Sequence, residues 1–583
     1  MVHISQSLPV VSASATAIAN IPEAVPGNAW LARLPQPLSL SSADIAASLI
    51  GLIFAVKDNI DVGGVPTTAG CPAFAFTPEA HAFVVQRLLG AGAVLHGKTN
   101  LDQFACGLSG TRSPSGPVPN AFDAAYVSGG SSSGSAYVVA SGQVDFALGT
   151  DTAGSGRVPA GLNNIVGLKP SRGLLSARGV VPAAQSVDCV SIFARTVGLA
   201  AQVLAAAMAP DAADPYSRDL TMASNAFPPR FTFGVPSTLE FFGDALAAEA
   251  FAQALLQLQA LGGTPVLIDY APLAAVGTLL YGSALVAERY AAVRSFFDAH
   301  ENEVIEPVRG ILAQGRSYSA ADMADAQLRL RALAQQIAPM WRGIDLLLVP
   351  TAPTHYTVEA MQNDPVGLNR NLGLYTNFVN LLDYAAISVP SSLRPDGLPF
   401  GITLIGPCGS DWQLAELGQR YHHATGLTQG ATGAALPEPV AIPGLIAART
   451  VKVAVVGAHL SGMPLNSQLT ERGATLLEQT QTAPHYRLHA LPGTVPLKPG
   501  LLRVGADEEG AAILVEVWAM PVAHYGSFVA LIPAPLGIGM LELADGSTVQ
   551  GFVCESHALA GAEDISRFGG WRSYIASLAP QAA

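Results

Sequence analysis

The sequence predicts an α/β layer fold around a mixed or parallel sheet, followed by a smaller, strand-rich α+β module. Three observations carry this. Through residue 427, short apolar runs alternate with stretches of helical spacing, the pattern of strands and helices packed in layers. Half of the 583 residues are hydrophobic and only 13% are charged, the reverse of a disordered composition and enough to bury more than one core. Residues 428–449, rich in Gly, Ala and Pro, then run without either periodicity, which reads as a linker to a module spanning 450–583.

The elements follow in order. Leu52–Val56 is an apolar run suited to a buried strand, residues 79–91 have helical spacing, and Ala93–His96 is extended again. A serine-glycine loop, Ser128–Ala136, leads into a helix reaching about Ser141, and Asp145–Leu148 forms a short strand. Phe231–Val235, a helix over 244–262 and Val266–Ile268 make a βαβ unit, and Leu346–Val349 is a strand stopped by Pro350. In the tail, Val451–Val456, Ala512–Val517, Phe528–Ile532 and Val549–Cys554 read as strands, with one helix over 467–479.

Several classes are excluded. A net charge of −13 without any Lys/Arg run disfavours nucleic acid and anionic membranes. The long uncharged stretch Tyr525–Leu541 is broken by Pro533, Pro535, Gly537 and Gly539, so it is no spanning helix. The first Lys or Arg is Arg33, so the N-terminus lacks the basic region of a signal peptide. Five scattered cysteines without a CxxC pair support neither a disulfide framework nor a zinc site. His485 and His489 lack neighbouring ligands of metal-site pattern. A cytoplasmic protein needing no metal or cofactor is expected.

Two motifs mislead. Gly92–Thr99 matches GxxxxGK[ST], a nucleotide-binding pattern, but a helix precedes it and its four variable residues are strand-like; a phosphate loop needs the opposite order. Gly130–Gly134 satisfies GxSxG, yet the segment before Ser132 is polar and loop-like, where a nucleophile elbow needs a buried strand.

A third reading explains the neighbourhood. The small residues of Gly149–Pro159 let successive N–H groups converge beside Ser155, a concavity fit for a developing oxyanion. A serine nucleophile needs a base, and no histidine lies between His96 and His300. Lys57 ends an apolar strand, where desolvation favours its neutral amine. Ser131 is placed to relay the proton between Lys57 and Ser155.

These segments resemble the amidase signature family in order and spacing. The match comprises Lys57–Asn59, Gly97–Asn100, Gly129–Ser132, Gly149–Arg157, Gly167–Pro170 and Ser388–Pro390, within residues 25–427. The resemblance implies an α/β/α layered fold around a mixed sheet and a catalytic triad of Lys57, Ser131 after a cis peptide, and nucleophilic Ser155. It also implies an oxyanion hole from the backbone N–H groups of Thr152, Ala153, Gly154 and Ser155. Ser133, Ala153 and Gly156 depart from the usual pattern, touching loop shape rather than the triad.

Those departures, with Gly107–Pro114, Leu279–Tyr290 and the tail segment Val456–Asn466, resemble one branch of the family, the allophanate hydrolases. That branch implies a small, flat, anionic substrate, with Gly107, Tyr281 and Arg289 as its binding residues. Gly107 permits close backbone approach, and a guanidinium meets a carboxylate through parallel hydrogen bonds. Tyr281 and Arg289 share one face if 281–289 is helical; the plainer alternative is a surface ion pair of Arg289 with Glu288 or another acid. The tail is similar to gamma-glutamylcyclotransferase-like folds, which makes His459 and Glu555 candidate groups for the product, N-carboxycarbamate. A homodimer and a biotin-dependent urea carboxylase supplying substrate are further implications of the resemblance.

Overall fold

The computed structural model describes residues 28–40, 48–446, 449–505 and 507–578; the predicted absence of a signal peptide concerns residues outside these. The chain divides into two compact units, one built from 1–227 with 231–445, the other from 446–583 with 228–230. No single helix among the described residues is long and apolar enough to cross a membrane.

The larger unit is organised on an eleven-stranded mixed sheet. Its strands are β1 Trp30–Leu38, β2 Ile53–Lys57, β3 Val94–Thr99, β4 Phe146–Asp151, β5 Val166–Lys169, β6 Cys189–Ala194, β7 Phe231–Pro236, β8 Gly263–Ile268, β9 Leu346–Pro350, β10 Ala385–Leu393 and β11 Pro399–Gly406. Their order is β1-β3-β2-β4-β6-β5-β10-β11-β9-β7-β8. β3, β2 and β4 run parallel, as do β9, β7 and β8, and the connecting pairs between these two groups are antiparallel. The strands are nearly all apolar and buried, as a sheet covered on both faces requires.

One pairing positions the chemistry. Phe54 of β2 lies opposite Phe146 of β4, and their rings stack with centroids 5.1 Å apart. Each ring contributes about 1.5–3 kcal/mol by burial, and the pair aligns the two strands so that their carboxyl ends open side by side. Lys57 closes β2, and the loop carrying Ser155 leaves β4.

The smaller unit holds a five-stranded sheet, in spatial order Thr475–Gln481, Leu514–Pro521, Thr450–Val455, Thr548–Cys554 and Leu536–Glu542, and a three-stranded one. Two tail expectations are corrected. Residues 467–479 are not one helix: a single turn, Ser467–Thr470, ends before Gly473 in the left-handed region, and Thr475–Gln481 pairs as a strand with Leu514–Pro521. Leu476–Gln479 has good helix propensity, and strand pairing overrides it. Phe528–Ile532 is not a strand; Val522–Val529 is a helix that buries Phe528. A short apolar run bounded by Pro521 and Pro533 does not declare its own period.

A third finding concerns the condition that 281–289 is one helix, which the chain does not meet. The helix Ala271–Gly282 stops at Ser283, whose backbone is extended, and the chain re-enters helix at Ala287–His300 after a bend of 50°.

Candidate active site

Lys57 is fully buried, and its Nζ donates to Ser131 Oγ at 2.7 Å and to Thr150 Oγ1 at 2.8 Å. Burial pulls its pKa down to about 7; Asp102, Asp188 and Asp151 oppose the shift, and Arg289 assists it. Desolvation wins because an ammonium loses more hydration than these carboxylates return at their distances. The result is an amine that exchanges a proton near neutrality.

Ser131 follows a cis Gly130–Ser131 peptide bond. A Cβ at Gly130 would lie 2.2 Å from Asp102 Oδ2 and 2.5 Å from the backbone N of Gly110, so nothing larger fits. Asp102 organises the surround: its carboxylate accepts from Gly110 N at 3.1 Å and Arg112 N at 2.8 Å, and its own N donates to Ser131 O at 3.0 Å.

Ser155 is 2% exposed, and its hydroxyl donates to Gly107 O at 3.3 Å. The structure therefore joins Lys57 to Ser131 directly, while Ser155 points at Gly107. The loop under Ser155 is held by Asp151, which accepts from Gly154 N at 2.9 Å, Gly156 N at 3.0 Å, and Arg157 Nε and Nη2 at 2.9 Å each. Burial works against that carboxylate's charge, but the Arg157 guanidinium outweighs it and holds the carboxyl below its usual range. Of the four amides implied for an oxyanion hole, that of Gly154 is thus occupied; those of Thr152, Ala153 and Ser155 have no acceptor among the described residues. Gly154 sits at φ 137°, with Thr376 Oγ1 2.3 Å from where a Cβ would be.

Tyr281 and Arg289 meet across the bend, not along one helix face. Arg289 Nη2 donates to the Tyr281 hydroxyl at 3.1 Å, and its Cζ stands 4.9 Å from that ring's centroid. Arg289 is 2% exposed, and its Nε and Nη1 have no acceptor among the described residues. Glu288 is turned away, accepting from Ser186 N at 3.1 Å and Ser186 Oγ at 2.7 Å, so the surface ion pair does not form. A buried guanidinium with two unused donors is costly unless a ligand's acceptors complete it.

Both misleading motifs resolve as structure. Gly97 lies inside β3 between β1 and β2, and Lys98 is fully buried, 3.0 Å from Asp58 Oδ1. Ser132 donates to Thr150 O at 3.1 Å at the start of the helix Ser133–Ala140, with a loop and not a strand leading into it.

In the smaller unit, His459 lines a cavity of about 160 Å³ with Gln468, Lys498 and Phe552. It stacks on Phe552 at 5.0 Å, contacts Gln468 Oε1 at 2.9 Å through Nε2, and is held neutral by burial, which lowers its pKa. Glu555 is exposed, 3.2 Å from His557 Nδ1, and does not line that cavity.

Sequence reasoning misses Thr150, Asp102 and Asp188. Thr150 lies within Gly149–Pro159, two residues from the end of the predicted strand Asp145–Leu148, and extending that strand would have brought its hydroxyl to the Lys57 end of β2. Asp102 and Asp188 reach Ser131 and Thr152 across long separations in the chain, which leave no local signal.

Comparison with known proteins places the chain. The Amidase family model matches residues 34–415, and a model described as the allophanate hydrolase C-terminal domain matches residues 451–576. Urea amidolyases of Lachancea kluyveri and Saccharomyces cerevisiae are 44% and 42% identical over 90% and 94% of this chain, which spans only 30% and 31% of their length. A solved allophanate hydrolase of Kluyveromyces lactis is 41% identical with a TM-score of 0.75, covering 95% of this chain and 94% of that one. With the family model matching well over half of its length, the chain belongs to the amidase family, as an amidohydrolase that carries an allophanate hydrolase C-terminal domain.

Proposed function

We propose that this chain hydrolyses allophanate, releasing ammonia and N-carboxycarbamate, which breaks down to ammonia and carbon dioxide in urea degradation. The observation that carries this reading is Arg289, buried beside Tyr281, with Nε and Nη1 lacking an acceptor among the described residues and so able to receive a carboxylate.

In this mechanism the Ser155 hydroxyl turns from Gly107 O toward Ser131 Oγ, and neutral Lys57 takes its proton through Ser131. Ser155 Oγ attacks the terminal amide carbon, and the charge that develops on the carbonyl oxygen is met by the amides of Thr152, Ala153 and Ser155. The Lys57–Ser131 pair returns the proton to the departing ammonia, and water then hydrolyses the acyl-enzyme by the same relay. Tyr281 and Gly107 line the substrate beside Arg289. We propose His459, the neutral imidazole of the C-terminal cavity, as acid/base for N-carboxycarbamate, and assign no role to Glu555. Supply of substrate by a biotin-dependent urea carboxylase, a homodimeric state and a cytoplasmic location complete the proposal.

The test is a substrate panel on Arg289 variants. Arg289→Ala is expected to cost about 2–5 kcal/mol in kcat/KM for allophanate, much of it as raised KM, because the carboxylate is bound before and during attack. Arg289→Lys recovers only part, an ammonium having no planar set of donors. Biuret, with an amide in place of the carboxylate, should lose far less. Equal losses on both substrates would show that Arg289 supports the fold and does not read the anion.

A further inference from the structure

Asp188 stands outside every motif and touches none of the triad, yet it lies half-buried against the loop that carries Ser155. Its Oδ1 accepts from the Thr152 hydroxyl at 2.5 Å, and its Oδ2 accepts from Ala183 N at 2.7 Å and Ala184 N at 3.1 Å. The segment bearing it is anchored elsewhere: Ser186 binds Glu288, Ser186 O accepts from Arg172 Nη1 at 2.8 Å, and Val187 O accepts from Asn380 Nδ2 at 3.0 Å. Asn380 Nδ2 also donates to Asp151 O at 2.6 Å. The loop 152–155 is therefore held on one side by the Asp151–Arg157 pair, which takes the Gly154 amide. On the other it is held by a single side-chain contact.

We propose that the Thr152 hydroxyl and Asp188 form a tether that aims the Thr152 and Ala153 amides at the developing oxyanion, making Asp188 a positioning residue. The inference rests on the oxyanion-hole reading above. Thr152 has two soft backbone dihedrals and no acceptor for its amide among the described residues; fixing its side chain removes that freedom before reaction, which is what preorganised donors require. Ala153 and Gly154, which follow it, have no polar side chain to do it, and the Asp151 carboxylate is taken by Gly154, Gly156 and Arg157. Burial raises the Asp188 pKa while the nearby Arg289 cation favours its charged form, and the three donors hold the carboxyl in one orientation in either state.

The experiment compares Thr152→Val, Thr152→Ser, Asp188→Asn and the Thr152→Val/Asp188→Asn pair, each checked for native circular dichroism, with Thr152→Ala standing in if the valine variant does not fold. Thr152→Val is expected to lower kcat about 10- to 100-fold, less than outright loss of an oxyanion donor, with KM within about twofold. Thr152→Ser should recover at least half of that loss on a logarithmic scale. Measured at about pH 9, above the Lys57 pKa of about 7 that the Asp188 charge helps to raise, the double variant should equal Thr152→Val alone, because without the hydroxyl the carboxyl has nothing on that loop to hold. The same ranking is read from the rate at which a fluorophosphonate labels Ser155, where Oγ bonds to phosphorus and fluoride leaves. A protein that fails on allophanate but labels in this order overturns the substrate reading and keeps the tether. A Thr152→Val protein with kcat within twofold of wild type, a loss confined to KM, or single effects that multiply in the pair would overturn the tether.

Discussion

Ser155→Ala is expected to lower turnover of allophanate at least about 10³-fold, with the protein still folded, since removing a serine nucleophile leaves only binding and oxyanion stabilisation. The site predicts a nearly pure kinetic loss. Ser155 makes one side-chain hydrogen bond, 3.3 Å to Gly107 O, so its removal leaves a carbonyl lightly under-satisfied and the loop still gripped by Asp151 and Arg157. Thermal melting should therefore change little, and substrate binding measured by calorimetry should persist. A folded variant keeping more than about a thousandth of wild-type kcat would remove Ser155 from the mechanism.

Lys57→Met should cost about 10²–10⁴-fold, the usual contribution of a positioned base, and should also change the shape of the pH profile. Below pH about 7 the wild-type amine is protonated and cannot accept the Ser131 proton. Activity then rises about tenfold per pH unit toward 7 and levels above it. The groups that set this midpoint, after burial itself, are Asp102, Asp188 and Asp151, which raise it, and Arg289, which lowers it. Methionine fills a similar volume without a proton-accepting group, so the acid limb near 7 should vanish with the activity. If the limb persists unchanged in Lys57→Met, the titrating base lies elsewhere. Any lasting residual rate comes from the oxyanion amides alone.

The three proposed catalytic positions are legible in the chain because each sits in a short stretch whose residue types the chemistry restricts. Lys57 needs a buried strand end, Ser131 needs Gly130 beside it, where Asp102 and Gly110 leave no room for a Cβ, and Ser155 needs small neighbours. Such local demands leave local marks. Spacing pairs Tyr281 with Arg289 for the wrong geometric reason: it presumes a continuous helix, whereas Ser283 breaks it and the bend brings the two side chains together. Their contact depends on where two helices fold back, which no spacing rule encodes.

In the C-terminal unit, the strands at 450–455, 514–521 and 548–554 follow from their apolar runs. The exchange of helix and strand at 475–481 and 522–529 does not, because short segments take their conformation from the partners they pair with or pack against. Residue identity alone settled which groups can carry amide hydrolysis: an amine that desolvation can neutralise, two serines, and a loop lean enough to expose its amides. Only the tertiary structure decided how they are held. The Asp102 N–H on Ser131 O and the Asp188 carboxylate on the Thr152 hydroxyl arise where segments far apart in the chain close on one another, whereas Asp151 takes the Gly154 amide within its own turn.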